Sequence, residues 1–361
     1  MKICKLQLQN FRNYDKYELE FDESKNLFVV LGGNGKGKTN ILEAIYMLST
    51  GKTFRTADQD NILKWGQDFF TTKGEVEIDN EKKSLEVSYS NYPRKQKIFK
   101  INDVPKKHSE YLGTFISVIF HPKDLNLIYL EPGLRRKYLN LLLAQTDKYY
   151  LESLSNYTRI IKQRNALLDE ISDGNTSAAE LDVWDEKISI EGSKLIHKRD
   201  EYIKFLNKKL PKIYREISGG KENVSVIHLR KTEGDTVDEI TQSYIQKLRL
   251  KRDKDVRYGS TSVGPHRDDV QFILDEHPFE DSASRGEART LIISLKIAEI
   301  AYIKKIRKTL PILLLDDVFS ELDEERQSHL LNAVKDCQTF ITAAEKSHVK
   351  EAQESAEIIS I

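Results

Sequence analysis

Gly32-Gly33-Asn34-Gly35-Lys36-Gly37-Lys38-Thr39 is the stretch on which the reading of this chain turns. It fits the pattern G-x-x-x-x-G-K-[ST]. Before it, Asn26-Leu27-Phe28-Val29-Val30-Leu31 has the composition of a buried strand; after it, Ile41, Leu42, Ile45 and Leu48 fall at helical spacing. Strand, glycine-rich loop and helix in that order form a phosphate cradle. The glycines let backbone N–H groups face the anion, and the helix N-terminus adds its dipole. Lys38 is then the residue that neutralises the β- and γ-phosphates during catalysis, and the Thr39 hydroxyl is the expected Mg²⁺ ligand. Gly32, Gly33, Asn34, Gly35, Lys36, Gly37 and the flanking Asn40 complete the expected nucleotide-binding set. A glycine-rich turn matching by chance would lack the flanking strand and helix.

A second stretch near the other end of the chain supports the first. Ile312-Leu313-Leu314-Leu315-Asp316-Asp317 is four apolar residues closed by two carboxylates. A buried strand of this kind brings its first acid beside the phosphate loop, where Asp316 can hold Mg²⁺. The second, Asp317, points toward the γ-phosphate as the catalytic general base for an attacking water. A solvated acidic turn is the plain alternative for this stretch alone, and the glycine-rich loop argues against it.

Between these two stretches the chain changes character. Residues 74–104 read as strands with hairpin connections, and Phe115–Phe120 as a further buried strand. From 134 to 170 there is neither Pro nor Gly, and apolar residues recur at helical spacing; after the polar break SDGNTSAAE a second helical stretch runs to Pro211, which should kink or end it. Two such legs form a short antiparallel arm, each reaching roughly 50 Å at ~1.5 Å per residue. Strand character returns at 224–229, followed by a basic helix over 236–252, a helix over 286–308, the acidic strand, a short helix after Asp323 and a last core strand over 339–342. The fold class expected is α/β, a P-loop ATPase head of two lobes with a short antiparallel helical arm inserted. The expected parts are an N-terminal lobe over 1–125, the arm over 126–217, and a C-terminal lobe over 218–361.

The 361 residues hold 57 basic and 57 acidic side chains, so net charge neither favours nor excludes a nucleic-acid partner and local clustering has to decide. Clusters stand at Arg94-Lys95-Lys97-Lys100, Lys106-Lys107, Arg135-Arg136-Lys137 and Lys247-Arg249-Lys251-Arg252-Lys254. Phosphate binding needs such charges, although any one cluster reads more simply as a solvated face. No aromatic platform or groove-reading motif stands out, so DNA recognition would go through backbone and shape, without sequence specificity. Two cysteines, Cys4 and Cys337, suit neither a metal site nor a disulfide framework. No signal peptide or membrane span is legible, and the expectation is a cytoplasmic protein with no membrane partner.

Two short segments narrow the class. Ser284-Arg285-Gly286-Glu287-Ala288-Arg289 opens a predicted helix, and Ser320-Glu321-Leu322-Asp323 follows the acidic pair. A Ser and a Gly at a helix N-terminus make an anion site, which an ABC-type ATPase offers to the ATP of a partner subunit. The order of loop, insertion, signature, paired acids and D-loop matches heads of the SMC and RecF type. Beyond the ATP motifs, NFRNYDKYELEF, GGNGKGKTNILEAIYML with GKTFRT, FHPKDLNLIYLEPGLRRKYLN, GSTSVGPHRDD and LLLDDVFSELDEERQSHLL resemble the RecF family over nearly the whole chain.

That resemblance implies an ATP- and Mg²⁺-dependent homodimer that binds DNA, double-stranded or at single/double-strand junctions. With RecR, and with RecO, it would help load RecA at single-strand gaps during recombinational repair. It also implies a weak, DNA-stimulated ATPase whose slow hydrolysis times release; the alternative is an ATP-switched clamp on DNA or a partner without significant hydrolysis. By position, Ser284, Gly286 and Glu287 would contact nucleotide in trans, and Arg12 and Asn13 would lie near it. The chain departs from the family where Ala288 replaces the usual Gln, a change that implies weaker ATP-driven dimerisation or turnover. It also departs at Lys123, Tyr129-Leu130-Glu131 and Asn140. No His follows Thr339–Thr342 as in transporter ATPases, and Thr342 is the candidate at that position. GPHRDD reads as a turn with an internal Arg–Asp network rather than as catalytic machinery.

Overall fold

The computed structural model describes residues 1–56, 58–319, 322–345, 349 and 356–361. In chain order it begins with β1 (Lys2–Phe11), β2 (Tyr14–Glu20), β3 (Leu27–Leu31) and α1 (Lys38–Thr50), then β4 (Phe69–Ile78), β5 (Glu81–Ser90), β6 (Gln96–Ile101), β7 (Val104–Lys106), α2 (His108–Tyr111) and β8 (Ser117–Phe120). A helical run follows: α3 (Asn126–Tyr129), α4 (Pro132–Thr146), α5 (Lys148–Ser172) and α6 (Leu181–Ser218). Next come β9 (Val224–Leu229), α7 (Val237–Tyr258), β10 (Asp269–Leu274), β11 (His277–Pro278) and α8 (Phe279–Ser282). The chain ends with α9 (Arg285–Arg307), β12 (Ile312–Leu315), α10 (Glu324–Val334), β13 (Thr339–Ala343) and β14 (Glu357–Ser360).

The chain divides into two units. The first takes residues 1–125, 216–219 and 289–361; the second takes 126–215 and 220–288. The sequence reading placed 218–361 in a C-terminal lobe. The structure instead groups 220–288 with the helices, because α7 packs on α5 and β10 on α4.

The first unit carries two sheets. One has five parallel strands in the order β14-β3-β13-β12-β8, and the other six antiparallel strands in the order β2-β1-β4-β5-β6-β7. Parallel strands are covered on both faces and read as unbroken apolar runs; Phe28–Val30 and Ile312–Leu315 are buried throughout. Antiparallel strands with one solvated face alternate instead, as β1 and β4 do. Phe21, Phe28 and Phe340 form a buried aromatic cluster with ring centroids 5.0–5.4 Å apart. The register of β1 shifts between Ile3 and Lys5, and the buried Gln338 amide serves Ile3 there: it accepts from Ile3 N at 2.7 Å and donates to Ile3 O at 2.9 Å. β14, a short strand outside the core strands expected from sequence, pairs with β3.

In the second unit the apolar run over 134–170 is two helices rather than one. Asp147 separates them by capping α5, its side chain accepting from Tyr149 N and Tyr150 N. α6 continues past Pro211 to Ser218, so that proline does not end the helix; Leu210 and Tyr214 on either side of it are fully buried, and their packing outweighs the lost hydrogen bond. α7 opens with a capping box between Thr236 and Glu239 and closes at Gly259. In the GPHRDD segment a turn is present, with Arg267 N donating to Gly264 O at 2.8 Å. Its second acid, however, is served by α4: Arg135 grips the Asp269 carboxylate through two 2.8 Å bonds, while Arg136 donates to the backbone carbonyl of Asp268. Arg267 turns instead to Thr261 O.

Arg164 ties three helices and a turn together. It is 0% exposed and donates to Asp185 of α6, Asp255 of α7 and Thr261 at 2.8–3.0 Å. Among the described residues no helix is long and apolar enough to cross a membrane. Cys4 and Cys337 are buried and unbridged. Arg164→Ala leaves the buried Asp255 carboxylate without its cation and Asp185 with Arg252 alone, a change that costs about 3–5 kcal/mol. It should lower the urea midpoint followed by Trp184 emission, whereas an unchanged midpoint would show that the pair contributes nothing.

Candidate functional site

The glycine-rich loop leaves β3 and enters α1 through Gly37, whose φ of 112° closes the turn in the left-handed region. A Cβ there would lie 2.8 Å from Asn13 Nδ2 and from the Tyr14 hydroxyl, so the loop both needs a glycine's backbone freedom and has no room for a side chain. Lys38 folds back over the loop and donates to Gly32 O at 2.6 Å and Gly33 O at 3.1 Å. Asn13 Nδ2 donates to Lys36 O at 3.0 Å while its Oδ1 accepts from Asn40 Nδ2 at 2.8 Å, pinning the loop to the turn between β1 and β2.

At the C-terminal end of β12 the two acids lie against this loop. Asp316 Oδ1 accepts from the Thr39 hydroxyl at 2.8 Å and from the Thr342 hydroxyl at 3.0 Å. Thr342 Oγ1 in turn accepts from Asp317 N at 2.8 Å. Burial pushes the Asp316 carboxyl above the usual range, against the two hydroxyls that favour its charged form. Asp317 is exposed and has a φ of 54°, which asparagine and aspartate tolerate better than most residues. One hydroxyl and one carboxylate side by side form a hard oxygen pair of the kind Mg²⁺ uses together with phosphate oxygens. Thr39 and Asp316 therefore fit that ion. His121, half-buried and stacked on Phe54, is held below its ordinary range chiefly by desolvation.

A pocket of about 650 Å³ opens here, lined by Arg12, Asn13, Asn34, Gly35, Gly37, Lys38, Thr39, Asn40, Arg55, Asn61, Leu63, Lys64, Trp65, Asp317 and Thr342. It gathers most of the residues expected from sequence. Gly32, Gly33 and Lys36 belong to the loop but not to the lining; Asp316 stands behind Thr39 and Thr342.

Arg12 takes a part of its own. At a φ of 56° its guanidinium grips Glu43 of α1 with bonds of 2.6 and 2.9 Å, and its Nη1 donates to Asn61 O. Glu43 is 0% exposed and also accepts from the Thr53 hydroxyl, while Arg55 stands 3.6 Å away and reaches Asn40 Oδ1 at 2.8 Å. Arg12 is thus a brace whose donors are largely committed, and Arg55 is the half-exposed cation facing the pocket. Arg55, Asn61, Lys64 and Trp65 were not singled out from sequence. They lie in irregular segments where hydrophobic period carries no signal; only the stretch GKTFRT marked Arg55.

Ser284, Gly286 and Glu287 fall in the second unit and are not among the pocket's lining residues. They open α9 as a capping box: Ser284 N donates to Glu287 Oε2 at 2.7 Å, and Glu287 N to Ser284 Oγ at 3.3 Å. Ala288 is fully buried. Of the expected D-loop, Ser320 and Glu321 lie outside the described residues. Asp323 caps α10 through Arg326 N at 2.9 Å.

The family described as RecF/RecN/SMC N terminal domain matches residues 2–361. The DNA replication and repair proteins RecF of Bacillus thuringiensis (strain Al Hakam) and Bacillus cereus (strain B4264) are each 38% identical over 348 residues, which is 95% of this chain and 92% of theirs. A solved structure of the recombination mediator protein RecF with ATP in the RecFOR pathway superposes with a TM-score of 0.90 at 33% identity, over 96% of this chain and 92% of that one. An SMC head bound to the C-winged helix domain of ScpA shares the fold at a TM-score of 0.56 and 14% identity, over 99% and 93% of the two chains. The architecture is that of an SMC-type ATPase head. Within that class, the chain belongs to the RecF family.

The Glu43 carboxylate holds the brace at the pocket's edge. Glu43→Ala strands Arg12, and the loss of a buried pair of this kind is about 3–5 kcal/mol. Thermal unfolding should show a clear drop, with Glu43→Gln recovering part of it; equal stability of Glu43→Ala and the parent chain would remove Glu43 from this role.

Proposed function

We propose that this chain binds ATP with Mg²⁺ in the pocket above Lys38 and Thr39, dimerises around it, and acts on DNA in recombinational repair. The observation that carries the reading is the hydrogen-bonded series Thr39–Asp316–Thr342–Asp317, which puts a metal-side acid and an exposed second acid beside the glycine-rich loop. Lys38 and the loop N–H groups hold the phosphates; Thr39 and Asp316 would hold Mg²⁺, which would supply neutralisation of the phosphate charge. Asp317 orients and deprotonates the attacking water. Ser284, Gly286 and Glu287 complete the site of a partner copy from their helix N-terminus. Slow hydrolysis, stimulated by DNA, times release.

The partners proposed are DNA, duplex or at single/double-strand junctions, together with RecR and RecO, with RecA loading as the outcome. RecF relatives described as replication and repair proteins and as a mediator in the RecFOR pathway support this. The charge distribution narrows where DNA lies. Lys95, Lys100, Arg135, Lys247 and Arg252 are engaged with carboxylates. Arg249, Lys251 and Lys254 on α7 are exposed and form no ion pair among the described residues, as is true of Arg94, Lys106, Lys107 and Lys137, and these are the proposed phosphate contacts.

Light scattering with Mg²⁺–ATP should give twice the monomer mass of 41.8 kDa, and with ADP or no nucleotide the monomer alone. Under the same conditions Asp317→Asn should keep the dimer and cut phosphate release by about a hundredfold or more. A monomer under every condition would contradict the composite site. A dimer whose phosphate release Asp317→Asn leaves unchanged would favour the clamp without significant hydrolysis.

A further inference from the structure

Trp65 is 97% exposed, the most exposed of the large apolar side chains described in the chain. Water-facing indole of this extent is unfavourable to keep, since burying apolar surface is worth roughly 25 cal/mol per Å². Its setting is not a loose tip. Lys64, Trp65, Gly66 and Gln67 form a turn closed by Gln67 N donating to Lys64 O at 3.0 Å, with Gly66 at a φ of 82°, as the third position of a type II turn requires. The turn is fastened to the β1–β2 hairpin twice over: Lys64 N donates to Asn10 O at 3.0 Å, and the Lys64 ammonium pairs with Asp15 at 2.5 Å. Among the described residues no ring stacks on Trp65. A pinned turn thus presents an uncovered aromatic face.

Trp65 is among the residues that line the pocket beside the glycine-rich loop. The phosphate end of the pocket is set by Lys38, Thr39, Asp317 and Thr342. The rest of a nucleotide must extend over the remaining wall, and there the only apolar side chains among the described residues are Leu63 and Trp65. Leu63 is itself buried and has no ring, which leaves Trp65 as the one π surface that the described residues of this lining offer to a planar ring. We infer that Trp65 is the stacking platform for the nucleobase of the bound nucleotide, an inference that rests on the nucleotide-binding reading above. Stacking accepts any base but rewards ring area, so purine nucleotides should bind better than pyrimidine nucleotides.

The chain has two tryptophans, Trp65 and Trp184, so Trp184→Phe gives a protein whose emission comes from Trp65 alone. In that background ADP and inorganic tripolyphosphate are titrated with Mg²⁺, at a protein concentration where light scattering gives a monomer, and both affinities are measured by calorimetry. The expected result is quenching of Trp65 by ADP and not by tripolyphosphate. Adding Trp65→Ala should weaken ADP roughly tenfold and leave tripolyphosphate unchanged, which also reports that the variant is folded. Equal quenching by the two probes, or unchanged ADP affinity in Trp65→Ala, overturns the inference while the phosphate site stands. Binding of neither probe defeats the phosphate site itself, and the inference with it.

Discussion

The hydrogen bond from Thr39 to Asp316 joins residues 277 positions apart and holds the candidate site together. Everything needed to form it is non-local. β3, which delivers the glycine-rich loop, lies between β13 and β14, so both its neighbours come from the far end of the chain. The phosphate cradle cannot exist as a fragment: its strand acquires ladder partners only when residues beyond 338 have paired. Loop closure over such distances is entropically costly and favours slow, cooperative assembly. The buried Phe21, Phe28 and Phe340 cluster and the Gln338 amide at Ile3 stabilise the same junction.

Around that junction two non-glycine residues of the pocket lining take unusual backbone angles. Arg12 and Asp317 each have positive φ. Strain of this kind persists where the surroundings over-determine it, and it gathers at functional sites. Arg12 is held by Glu43 and Asn61, and Asp317 by the Thr342 hydroxyl. Thr342 thus senses both acids at once, donating to one and accepting from the backbone of the other. In this head a threonine links the Asp316 carboxylate to the backbone of Asp317.

The parts of this arrangement legible in the sequence are those with period or punctuation. The glycine-rich loop stands out because its glycines are needed for backbone reasons, and Ile312–Asp317 because a parallel strand reads as an unbroken apolar run. The arm was visible as helical spacing, but its division at Asp147 was not, since an N-cap aspartate inside an apolar repeat looks like one more polar position. Pro211 misled for the opposite reason: buried Leu210 and Tyr214 carry the helix through a residue that local rules treat as a stop. Arg55, Lys64 and Trp65 are placed by turns and ion pairs, which leave no repeat to read. The grouping of 220–288 with the helices follows from packing partners that no single segment announces.

The central claim is that Thr39 and Asp316 act as one Mg²⁺-binding pair, and a double-mutant cycle tests it most directly. ATP affinity is measured for the parent chain, Thr39→Ala, Asp316→Asn and the double variant, each with and without Mg²⁺. The account predicts coupling of about 1 kcal/mol or more with Mg²⁺, because either single change already removes the shared ion, and a smaller coupling without it, where only their hydrogen bond remains. Additive losses in both conditions would show that the two residues act separately and would contradict the account.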